Sequence, residues 1–87
     1  MKYIMFQQQH GEMTKLVPVI FPNDLVHKEV ADALQQLVLK DTVIHSAGSI
    51  SLLNLKPEGR STTLNIEADH DTDELVIKMN DYGAGWQ

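Results

Sequence analysis

The first six residues, Met1 to Phe6, alternate as a strand does, with Lys2, Ile4 and Phe6 on one face and Tyr3 and Met5 on the other. The polar run Gln7 to Glu12 predicts a turn. Leu16 to Phe21 is then a second, nearly continuous apolar strand. Pro18 inside it removes a ladder donor, so an edge position or a bulge is expected, and Pro22 ends it. Together the two segments predict a hairpin.

After Asn23 and Asp24, both natural N-caps, the period changes. Val26, Val30, Ala33, Leu34, Leu37 and Val38 lay one apolar stripe along a helix, with Lys28, Asp32, Gln35 and Gln36 on the other side. From Thr42 to Leu55 the period is two. Ile44, Ser46, Gly48, Ile50 and Leu52 share one face, while His45, Ala47, Ser49, Ser51 and Leu53 share the other. Lys56 to Gly59 is a turn, and Arg60 to Ala68 is the returning strand of a second hairpin with one polar face. Asp71 to Gly83 fits either a strand or a helix. An N-cap at Asp71, acids in the first turn and a glycine stop at Gly83 favour the helix, with Leu75, Val76, Met79 and Tyr82 on one side.

The element order is therefore ββα-ββα in one small α+β domain over residues 1–87. A four-stranded, mainly antiparallel sheet with both helices on one face is expected, because each hairpin needs an apolar cover and each following helix supplies one. The other face should be open and polar, at least in the second hairpin.

Composition narrows the function classes. With no cysteine among 87 residues, disulfides and thiolate metal sites are excluded, and oligomerisation is the remaining common source of extra stability for so small a chain. Twelve acids against seven Lys and Arg give a net charge of −5, which argues against a phosphate-backbone binder and so against nucleic acid. No apolar run approaches the ~20 residues that span a bilayer, and no signal-peptide core is visible. A cytoplasmic protein with no membrane partner is expected.

The chemistry-bearing motifs are weak. The acidic run Asp69-His70-Asp71-Thr72-Asp73-Glu74 places carboxylates at alternate positions, like the start of a calcium loop. However, Glu74 stands where that loop needs Gly and Asn80 where it needs a bidentate Glu. A helix N-terminus that favours negative charge is the expected role, and cation binding there is left open. His10, His27, His45 and His70 are never paired at helical spacing, so no metal ligand set is assigned. His27 is expected beside the helix stripe. No third group is placed to orient a His–Ser dyad, so no catalytic residue, no cofactor and no enzymatic activity are expected. Ser46-Ala47-Gly48-Ser49 lacks the glycines, the Lys and the following helix of a phosphate loop. Trp86, the only tryptophan, lies beside the chain end and is a candidate anchor at a subunit or partner interface.

Leu16-Val17-Pro18-Val19-Ile20-Phe21-Pro22 with His27 after it, Ile44-His45-Ser46-Ala47-Gly48, and Gly59-Arg60-Ser61 follow one another in an order that resembles small phage- and prophage-encoded proteins of unassigned activity. Ser49 departs from that pattern, standing where a bulky aromatic follows the Ala-Gly, and Thr62-Thr63-Leu64 replaces its Ser-Leu ending. The resemblance implies an accessory gene product acting in the bacterial host cell, a host protein as partner, and a helical final segment. The leading expectation is a non-enzymatic, homo-oligomeric protein working by protein–protein interaction. The alternative is a small-ligand or nucleotide binder using the polar sheet face through His45, Ser49, Ser51, Ser61 and Thr63, with Arg60 as a fork for a phosphate.

Overall fold

In a computed structural model, residues 1–80 are described. Strands β1 (Lys2–His10) and β2 (Met13–Phe21) form the first hairpin, followed by α1 (His27–Leu37), β3 (Thr42–Ile50), three short strands β4 (Pro57–Glu58), β5 (Arg60–Ser61) and β6 (Ile66–Glu67), and α2 (His70–Met79). The main sheet is antiparallel in the order β2-β1-β3-β4, and β5 pairs with β6 in a separate ladder.

The first hairpin is longer than its sequence pattern predicts. His10 faces Met13 across a two-residue loop, Gly11-Glu12, so β1 absorbs Gln7 to His10 of the run expected to be the turn and β2 extends back from Leu16 to Met13. Gly11 has φ +60, the left-handed backbone that a two-residue hairpin needs at its first position to match strand twist. Pro18 does sit on an edge strand, opposite Met5, which agrees with its missing donor.

The helices lie on opposite faces of the sheet, not on one. In β1, Tyr3, Ile4, Met5 and Phe6 are all buried, so this central strand is apolar on both sides. Ile4 and Phe6 pack with Phe21, Ala47 and Ala31 of α1, whereas Tyr3 and Met5 pack with Ile50 and Ile77 of α2. The four successive apolar residues carry the reason: a strand read as alternating would need only one cover, and this one needs two.

Helix α1 starts at N-cap Val26, later than Asn23 and Asp24. Its inward stripe is His27, Val30, Ala31 and Leu34, while Ala33, Leu37 and Val38 are exposed. His27 is a buried core residue. Its Nε2–H donates to the Gly48 carbonyl at 2.9 Å, and its ring meets Phe21 edge-on with centroids 5.4 Å apart. The expected second hairpin is also redrawn. β3 stops at Ile50, leaving Leu52 and Leu53 exposed, and β4 alone completes the sheet by pairing with Ser49 and Ile50. The returning segment contributes only the two-residue strands β5 and β6. Between them Asn65 adopts φ +55, a left-handed turn conformation that Asn tolerates well.

Gly48 marks a close approach. A Cβ there would run into the Glu58 carbonyl oxygen and lie 3.3 Å from the Ala68 Cβ.

Candidate functional site

The site is built on a break in strand pairing. Met5 faces Ser46, but the next residue of β1, Phe6, faces Ile44, so His45 is an extra residue on β3. Such a bulge re-aims a side chain and reverses the alternation beyond it. Ile44 and Ala47 consequently both join the α1-side core, and Ser46 and Ile50 turn to the α2 side. This overturns the expected faces, in which Ile44 shared a side with Ser46 and His45 one with Ala47. His45 points to the start of α2, and the sheet face expected to be open and polar is covered by that helix.

Helix α2 bears out the helical choice for the last segment, with Asp69 at the N-cap in place of Asp71. Its buried positions are Asp73 and Ile77, with Val76 beside them, while Leu75 and Met79 are exposed. Tyr82 and Trp86 lie outside the described residues. The Asp73 side chain accepts the Asp69 backbone N–H at 3.1 Å, so it closes one of the unpaired donors of the helix start.

Asp73 is fully buried, and its two carboxylate oxygens are treated differently. Oδ2 accepts hydrogen bonds from Tyr3 Oη at 2.6 Å and Ser46 Oγ at 2.5 Å, besides the Asp69 N–H. Oδ1 is buried with no hydrogen-bond partner among the described residues and lies 4.0 Å from His45 Nε2. His45 Nε2 is 3.0 Å from Asp69 Oδ2, at a rim where the two side chains are 27% and 43% exposed. One oxygen or nitrogen from each of His45, Asp69 and Asp73 lies within 4.8 Å of the others. Burial first, then the bond to Asp73 and its negative charge, push the Tyr3 phenol far above its usual pKa, so it serves as a neutral donor. The hydrogen bond from His45 holds Asp69 below the ordinary carboxylate value.

Of the residues expected to form a binding face, only His45 belongs to this cluster. Ser49 and Ser51 are exposed at the other end of β3, around a shallow concavity shared with Leu52 and Glu58. Arg60 donates to Asn65 Oδ1 at 2.5 Å. Ser61 is buried and accepts the Leu64 N–H at 3.2 Å. Thr63 Oγ1 accepts the Lys28 N–H at 3.2 Å, capping the first turn of α1. The Arg60 fork and the Ser61 and Thr63 hydroxyls thus serve turns and a helix cap.

Tyr3 carries no signal in the pattern, and Asp69 and Asp73 are legible only as part of the acidic run 69–74, where cation binding is left open and burial of Asp73 is not expected. The signal for Asp73 lies in helical spacing: it is four residues before Ile77 and three before Val76, squarely within an apolar stripe. An acid there is either buried for a purpose or the helix is misread. No family model, curated protein or solved structure matches this chain.

Proposed function

We infer that this chain is a non-enzymatic binding protein acting by protein–protein contact, and that its partner on the α2 side is a second copy of itself. The observation supporting this is an apolar strip that no other described residue covers. Met13 is 75% exposed, Leu75 61% and Met79 73%. Met13, Leu16, Val76 and Met79 line one groove between β2 and α2, with His10 and Lys15 at its rim. Contiguous exposed apolar surface rimmed by polar residues is the usual mark of a contact site.

Charge favours a second copy as the occupant. α2 presents Leu75 and Met79 in one row with Asp71, and the groove offers Lys15 to that acid. A two-fold arrangement would let each α2 seat against the other copy's groove, so the same patch serves both subunits. The phage setting, a bacterial cytoplasmic location and a host protein as further partner are proposals resting on the motif resemblance alone.

Absolute mass by light scattering tests the reading. Twice the 9.8 kDa chain mass is expected, falling to the single-chain value in Leu75→Glu and Met79→Glu. A wild-type mass of one chain at every concentration overturns it.

A further inference from the structure

We propose that His45, Asp69 and Asp73 form a binding site for a first-row divalent metal ion, with Zn2+ as its best-matched probe. Three independent features converge on it. The first is spacing. Metal–ligand bonds of about 2.0–2.2 Å place neighbouring donors roughly 3–3.5 Å apart. Here His45 Nε2 is 3.0 Å from Asp69 Oδ2 and 4.0 Å from Asp73 Oδ1, with all three ligand atoms within 4.8 Å. A small inward movement of the two rim side chains closes them around one ion.

The second feature is the unpartnered oxygen. Asp73 Oδ1 is buried, aimed at His45 and too far from Nε2 for a hydrogen bond. An ion pair between His45 and Asp69 alone leaves this oxygen unsatisfied. A buried acceptor without a partner is destabilising, and a cation seated among the three groups removes that defect.

The third is the support behind the ligand. Tyr3, Ser46 and the Asp69 N–H all donate to Oδ2, which fixes the carboxylate plane and leaves Oδ1 as the presented atom. Outer hydrogen bonds of this type orient metal-binding carboxylates. The bulge at His45 does the same for the imidazole, because a regular strand would send it to the opposite face.

The donor set selects the ion class. One imidazole and two carboxylates suit Zn2+ or another borderline first-row ion, whereas Ca2+ seeks six to eight oxygens and Cu(I) seeks sulfur. Two carboxylates with a neutral imidazole balance the charge of a divalent ion. The exposed rim leaves room for water as the remaining ligand. This proposal does not depend on the docking strip between β2 and α2.

The test is thermal unfolding and calorimetric titration of EDTA-stripped protein with ZnCl2, with MgCl2 in parallel. The unfolding midpoint should rise by about 10 °C or more when free Zn2+ is about 100 times Kd. Mg2+ should leave it unchanged. His45→Gln and Asp69→Asn change rim residues, so their circular dichroism should match wild type while Zn2+ affinity falls at least about tenfold. No midpoint shift with Zn2+ overturns the proposal. So does undiminished affinity in both folded variants, which would assign the ion to His10 or His70.

Discussion

The two sides of the sheet solve the same burial problem with different chemistry. Towards α1, the core is Ile4, Phe6, Phe21, Ala31 and Ala47, joined by the single hydrogen-bonded histidine His27. Towards α2, the apolar set Met5, Ile50 and Ile77 surrounds a polar knot of Tyr3, Ser46 and Asp73. The α1 side gains stability mainly from area removed from water and from close packing. On the α2 side, stability also depends on every donor around Asp73 keeping its acceptor. A fold of this size has little surplus stability, so a buried acid held in place by three donors points to a use beyond cohesion.

The largest difference should come from truncating the apolar side. Phe6→Ala leaves a cavity between the sheet and α1 and should cost about 3–5 kcal/mol, read as a lower urea midpoint with unchanged slope. A loss under ~1 kcal/mol would mean that the α1 layer collapses freely. Next comes Asp73→Leu, which leaves the Tyr3 and Ser46 hydroxyls and the Asp69 N–H without their acceptor inside the protein. A loss of about 2–4 kcal/mol is expected despite the added apolar volume. If Asp73→Leu instead matched or exceeded wild type, the polar knot would be dispensable and the contrast between the two sides would fail.

The smallest effect is in acid. Asp69 has its pKa lowered in the folded state from an ordinary value of 3.8, so its contribution is fully present above that value and lost as pH falls through the folded value. Because the side chain is 43% exposed, solvent screens the effect and the slope of stability against pH should be shallow. Asp69→Asn should flatten stability against pH below about 3.8, and an unchanged acid limb would remove Asp69 from the account.

Local pattern carried the first hairpin, the two helices and the edge position of Pro18. Each depends on a few neighbouring residues: apolar periodicity, capping acids, a proline without a donor. What pattern alone misplaced depends on pairing across the sheet. The bulge at His45 arises from the register between β1 and β3, which period-two counting along β3 cannot detect, so that counting puts Ile44 with Ser46 and His45 with Ala47. The second cover was legible in principle. Tyr3-Ile4-Met5-Phe6 has no polar position, and a strand without one asks for burial on both sides. Asp73 was hidden because a carboxylate in the first turns of a helix reads as a solvated response to the helix dipole. Only the helical phase of Val76 and Ile77 shows that it faces inward.

The measurement that bears most directly on the α2 side is a long-range proton–nitrogen NMR spectrum of the imidazoles, recorded with and without Zn2+. All four histidines are visible in one experiment, so the site is identified by which ring responds. Adding Zn2+ should move the Nε2 signal of His45 and leave those of His10, His27 and His70 in place. A response at His10 or His70 with His45 unmoved would contradict the account.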